Sequence, residues 1–347
     1  DEAERSGCLQ RVLPALRAEP ALARWELELP PLAEADARRL VAHMLDALSP
    51  GATDHADALA RESRGSPLVA RELCHYFHDP SAAATTPVST FGAMLTARVA
   101  ALPEDARRLL EVVALAGQRI ERGVVGAASR IGDREPAVVG LLRRGSFVRT
   151  SSGRAGEEVE AAHDRVREVV VAGLAPDARV RHHRDLARAL AATGRAEPEL
   201  LASHLDGAGE RAEAAGHWEQ AAEQAFHALA LARAERLYRQ ALAARVAAAP
   251  EPSAVRRLRA RLGETLALAG RGAEAATAYL EAATDAEPTV ATDMRRLALE
   301  QYLWSGHVDE GFGVLGAVLA ATGLTMPRTR LGVAVGVLGR LLRLRLR

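Results

Sequence analysis

Three observations predict a mainly α-helical protein. Apolar residues recur at helical spacing along nearly the whole chain, two short alternating runs flank one polar, glycine-bearing connection, and small residues repeat at matched positions from about residue 179 onward. They divide the chain into a helical subdomain at 1–80, helices with a small β-hairpin at 89–175, a tetratricopeptide-like α-solenoid at 179–325 and the basic start of a further helix at 326–347. A length of 347 residues suits two or three domains with real cores, at roughly 100 to 200 residues each.

Residues 25–29, Trp-Glu-Leu-Glu-Leu, alternate and run into Pro30-Pro31, which predicts a short strand stopped by proline. Ala33 to Leu48 places Ala37, Leu40, Val41, Met44, Leu45 and Leu48 on one helical face, and Ser49-Pro50-Gly51 ends it. A second helix, His55 to Arg64, stops at Gly65. A third starts at Pro67, because the missing proline N–H would have no partner in the first helical turn anyway. Asp79 to Val88, rich in Ala, Ser, Thr and Pro, reads as a linker.

Helices are predicted at about 91–101, 104–116, 121–131 and 135–144, then strands at Ser146–Thr150 and Glu157–Ala161 around the polar segment 151–156. Helices followed by a small hairpin describe a winged-helix topology. His163 to Leu174 resumes helix with Val166, Val169, Val170 and Leu174 inward. Beyond it Leu262, Gly263, Leu266, Ala275, Tyr279 and Ala282, followed by Pro288, give the tetratricopeptide pattern of small residues where two helices cross. Trp218, Ala222, Ala225, Ala234, Tyr238 and Ala241 match it, and Leu299, Tyr302, Gly306, Gly311, Leu315 and Val318 form a weaker copy. Corresponding positions Ala234, Ala275 and Gly311 lie 41 and 36 residues apart, so the repeats are degenerate.

Composition excludes several chemistries. Basic and acidic residues balance at 45 each, so no global field draws the chain to nucleic acid or lipid. All 45 basic residues are Arg; without lysine, the chain cannot complete a P-loop, a kinase strand-Lys site or a Schiff base. Two cysteines, Cys8 and Cys74, cannot build a disulfide framework and suit a reducing compartment, so a cytoplasmic location is expected. The first residue is Asp and the last, Leu344 to Arg347, break off without a helix cap, which predicts an excised piece of a longer protein.

Candidate reactive groups have simpler accounts. His163 and Asp164 with Ser151 or Ser152 lack the elbow-like turn a nucleophile needs and read as a helix start. His182 and His183 have neither metal-ligand spacing nor a Cys partner and read as solvated surface. A DNA-binding reading would use the helix from Glu135 to Arg144 with Arg143, Arg144, Arg149 and Arg154 on phosphates. Asp133, Glu135, Glu157, Glu158 and Glu160 offset that charge, so DNA is not an expected partner. The tail from Met326 holds Arg328, Arg330, Arg340, Arg343, Arg345 and Arg347 and no acid; a further solenoid helix accounts for it better than a membrane surface does.

The segment Arg64-Gly65-Ser66-Pro67-Leu68-Val69-Ala70-Arg71-Glu72-Leu73, after Glu28-Leu29-Pro30-Pro31-Leu32 and the helix through Ala35-Asp36-Ala37-Arg38, resembles the lid subdomain of STAND-type AAA ATPases. These signalling ATPases occur in large bacterial transcription regulators and beside serine/threonine protein kinase domains. Phe91 to Gly117 is similar to the start of the family's winged helix, His163 to Glu168 to the helix after its hairpin, and Ala202, His204, Ala208-Gly209 and Ala221-Ala222 to the opening of its tetratricopeptide region. The resemblance covers nearly the whole chain by pattern, without an invariant catalytic string. It implies that Gly65 and Pro67 stand at a nucleotide, with Pro67 packed near the base. It also implies that ATP or ADP with Mg binds only in a complete parent carrying Walker motifs upstream, not in this segment alone. The implied partners are that ATPase core in cis and a protein or small ligand on the concave solenoid face.

Overall fold

The computed structural model describes residues 29–48, 56–78, 91–153, 156–248, 251–284 and 286–321, with the single positions Val12, Leu16 and Gly323. The chain divides into two units, Asp1–Arg98 and Val99–Arg347. The described residues are mainly helical, with one small three-stranded sheet. The linker predicted at 79–88 and the basic tail at 326–347 lie outside them. Of the strand predicted at 25–29 only Leu29 lies inside, and it is exposed coil.

In the first unit α1 (Glu34–Leu48), α2 (Ala56–Ser63) and α3 (Pro67–His78) pack on one another. The stripe read from sequence is the buried one: Ala37, Val41 and Leu45 of α1 meet a core completed by Leu59, Ala60, Ala70, Leu73 and Cys74. Glu72 is buried there with its carboxylate beside Arg71 at 3.2 Å and Arg98 at 3.8 Å. A fourth helix, α4 (Phe91–Ala100), buries Met94 and Leu95.

The second unit is built around α5 (Glu104–Ala116), in which Leu109, Leu110, Val112, Val113 and Ala114 are fully buried and Gly117 ends the helix in the left-handed conformation. There follow β1 (Ile120–Glu121), α6 (Arg122–Ser129), α7 (Glu135–Arg144), β2 (Val148–Gly153) and β3 (Gly156–Ala161). The sheet is antiparallel in the order β1-β3-β2, with Ile120 opposite Val159 and Val148 opposite Ala161. β2 and β3 extend three and one residues further into the predicted loop, which narrows the hairpin to Gly153 opposite Gly156. β1 escapes sequence reading because two residues are too few to show a period. Helix α8 (Asp164–Gly173) then packs on α5.

From Pro176 the chain is helix after helix: α9 (Pro176–Ala192), α10 (Pro198–Gly207), α11 (Arg211–His227), α12 (Leu231–Ala248), α13 (Pro252–Leu268), α14 (Gly272–Ala283), α15 (Pro288–Trp304) and α16 (Val308–Ala321). Each packs on the next in sequence, and α9 packs back on α5 and α6. Alanines at the crossings permit the close approach: Ala221, Ala222 and Ala225 of α11 and Ala234 and Ala241 of α12 are buried, as are Ala275, Ala276 and Ala282 of α14. Gly263 is tighter still, since a Cβ there would stand 2.9 Å from the Tyr279 ring. Gly270 and Gly306, matched in the repeats, both turn the chain at positive φ, 76° and 81°.

A second periodicity is electrostatic. Glu199 of α10 meets Arg233 and Arg236 of α12 at 2.6 Å, Glu219 of α11 meets Arg257 of α13 at 3.0 Å, and Glu235 of α12 meets Arg271, which leads into α14, at 2.5 Å. Glu223 of α11 takes both arms of the Arg261 fork, while that guanidinium lies 4.5 Å from the Phe226 ring centroid. The partners stand 34 to 38 residues apart, so each pair joins helices two apart in the array. Arg261 holds the Glu223 carboxyl below the usual range against a smaller effect of burial.

A double-mutant cycle on Glu223→Gln and Arg261→Met is expected to give a coupling of about 1 kcal/mol in urea unfolding, shrinking in concentrated salt. The exposed same-helix pair Arg296–Glu300 should give about 0.3 kcal/mol.

Candidate functional site

The segment singled out in sequence is a tightly built turn. Arg64 and Gly65 both have positive φ, 50° and 75°. The Leu32 N–H donates to the Gly65 carbonyl at 2.8 Å, and the Ser63 hydroxyl accepts from the Gly65 N–H at 3.3 Å. A Cβ on Gly65 would lie 2.4 Å from the Leu32 carbonyl oxygen and 2.9 Å from the Pro31 Cβ. Gly65 therefore satisfies a contact within the chain, fixing the Pro31-Leu32 segment against the start of α3. Pro67 has the opposite character. It opens α3 with its ring exposed, while Ser66 caps the helix, its hydroxyl accepting from Val69 N–H at 3.4 Å. The turn thus presents an exposed proline ring on a hydrogen-bonded, closely packed backbone, an arrangement able to pack against a flat ligand.

The reactive groups weighed in sequence do not assemble into a catalytic constellation. His163 is the extended residue before α8, and Ser151 and Ser152 sit in β2 opposite Glu158 and Glu157. Burial pushes the Cys74 thiol up to about 11, which removes it as a nucleophile near neutral pH. No group of three or more metal-ligating side chains occurs among the described residues. Of the arginines a DNA-binding reading would use, Arg149 donates to Glu160 at 2.9 Å, while Arg143 and Arg144 stand in the last turn of α7. Arg154 lies outside the described residues.

The reading of His182 and His183 as solvated surface is corrected. His182 is buried with Nε2 2.8 Å from a Glu111 carboxylate oxygen of α5, and His183 places Nδ1 2.9 Å from Nδ1 of His204 on α10. Adjacent histidines thus point to two sides of α9 and join it to the module before it and to the helix after it. Gly207 leaves room for this, since a Cβ would stand 2.7 Å from the His183 ring. A Nδ1–Nδ1 hydrogen bond needs one nitrogen to donate and the other to accept, so the two rings cannot both be protonated. Burial, with a smaller push from His183, lowers the His204 pKa to about 4; burial, then Arg179, lowers that of His183. Sequence reading missed the pair because its members are 21 residues apart on different helices.

A cleft of about 460 Å³ opens between the Gly117-Gln118 turn and α10, α11 and α12. Ser203, Trp218 and the Glu199–Arg233–Arg236 cluster line it. Trp218 is only 7% exposed, and its indole nitrogen meets no acceptor among the described residues. It supplies a buried donor beside paired charges, suited to a ligand or peptide group that carries an acceptor.

No family model matches the chain, and no curated protein or solved structure matches it.

Gly65→Ala is expected to cost about 2–4 kcal/mol, from the positive φ and the backbone overlap together, read as a lower urea midpoint and lost hydrogen-exchange protection across 29–78. The His204 pKa is lower folded than unfolded, so its contribution is complete above pH 6.5 and is lost as pH falls toward 4. Wild type should therefore lose on the order of 2–3 kcal/mol more than His204→Gln between pH 7 and 4, measured by chemical denaturation at each pH.

Proposed function

We propose that this chain is the regulatory and interaction part of a STAND-like ATPase signalling protein, in which nucleotide state sets how a tetratricopeptide solenoid presents its partner-binding face. The observation that carries the reading is the order of elements in the second unit. A three-stranded sheet in the order β1-β3-β2, with its helices before the hairpin, supports a winged-helix reading, and it passes directly into sequentially packed helices whose matched residues recur 41 and 36 positions apart. The Gly65–Pro67 turn and the lid-like helices around it support the same assignment.

In this reading Pro67 meets the nucleotide base and Gly65 shapes the turn that holds Pro67 still. ATP or ADP with Mg is bound chiefly by a nucleotide-binding core in cis, which supplies the phosphate-gripping lysine that this chain lacks. The chain's own part is to convert occupancy into a shift between two arrangements, which requires that the nucleotide states interact with the lid by different free energies. The partner, a protein segment or small ligand, binds the helical array, where the Trp218 cleft offers a buried donor. A serine/threonine kinase domain is the neighbour the resemblance suggests. A nucleotide-independent scaffold would use the same cleft without the lid.

In the complete protein, Pro67→Ala should weaken ATP or ADP affinity about fivefold in a titration while leaving the thermal midpoint nearly unchanged, since the ring is exposed. Unchanged affinity would favour the scaffold reading.

A further inference from the structure

A cleft of about 690 Å³ in the second unit lies between α5 and α9 and is lined by six arginines against three carboxylates. Arginine neutralises two of the carboxylates, and the third accepts a hydrogen bond from histidine. Glu104 binds Arg108, Asp185 binds Arg130, and Glu111 is engaged by His182. Arg184 is satisfied by Glu210.

Three cations remain without a carboxylate partner among the described residues: Arg107, Arg181 and Arg188. Arg107 donates to the carbonyls of Ala100 at 2.7 Å and Leu102 at 3.1 Å, which fixes its guanidinium without neutralising it, and its Nε is buried with no acceptor. Arg181 and Arg188 are exposed and two turns apart, so they stand on the same face of α9. Many arginines elsewhere in this unit are matched with glutamates across helices, whereas these three, none of them paired with a described carboxylate, line one concavity together.

We infer that this cleft binds a small phosphate-bearing ligand with more than one negative charge. Guanidinium forks match phosphate oxygens two at a time, three uncompensated cations call for a polyanion, and the volume admits a molecule of nucleotide size. The site sits where α9 joins the sheet-bearing module to the helical array, so an anion bridging Arg107 of α5 to Arg181 and Arg188 of α9 strengthens that joint. The inference does not rest on the nucleotide reading of Pro67, which concerns the other unit.

Inorganic pyrophosphate, titrated calorimetrically into the 347-residue chain at low salt, is the direct probe. Binding is expected, with Arg181→Gln/Arg188→Gln weakening it about tenfold or more and Arg256→Gln/Arg295→Gln, on α13 and α15, leaving it unchanged. Both pairs of positions should keep the wild-type circular dichroism and melting midpoint. Parallel titrations with orthophosphate and with ADP separate a free inorganic ligand from a nucleotide. No binding, equal binding by the Arg181/Arg188 variant, or an equal response to sulfate at matched ionic strength would overturn the proposal.

Discussion

Close approach of successive helices is the constraint on which the second unit depends. An array in which each helix touches mainly its neighbours in sequence has no common centre to bury large side chains, so stability must come from many narrow contacts. Ala222, Ala234, Ala275 and Gly263 make those contacts possible by removing bulk at the crossings, and Tyr238 and Tyr279 fill what space remains. The scarcity of aromatic residues, 3% of the chain, follows from the same geometry: there are few places wide enough for a ring.

Packing by alanine is permissive about register, because small flat surfaces slide past one another with little penalty. The cross-helix arginine–glutamate pairs supply what alanine does not. Their fixed spacing means that a helix displaced by one turn would lose its partners two helices away. Single exposed pairs contribute little, but Arg261, which binds Glu223 with both arms and covers Phe226, is part-buried and geometrically constrained. Helix α9 is tied in by other contacts, touching α5 through His182 and α10 through His183.

Much of this fold was legible in the sequence because its elements are long and periodic. α1, α2, α5 and α7 lie within a residue of their predicted bounds, since apolar stripes and proline or glycine punctuation are local signals. What escaped was short or non-local: the two-residue strand at Ile120, the hairpin closing at Gly153 and Gly156, and the burial of His182 and His204. Gly65 illustrates a middle case. Its presence at a helix boundary was readable, but that its missing side chain accommodates the backbone of Leu32 depends on a contact 33 residues away. The unmatched arginines of the α5–α9 cleft carry no signature at all in a chain with 45 of them; only their convergence on one concavity makes them distinct.

The cross-helix pairs have one more consequence, which comes from their being guanidinium throughout. Guanidinium keeps its proton across the whole physiological range. Acetyl, methyl or ubiquitin transfer to a lysine amine finds no target within these rungs, because the chain holds no lysine. Bulk ionic strength, by contrast, screens the exposed pairs from α10 to α14 all together.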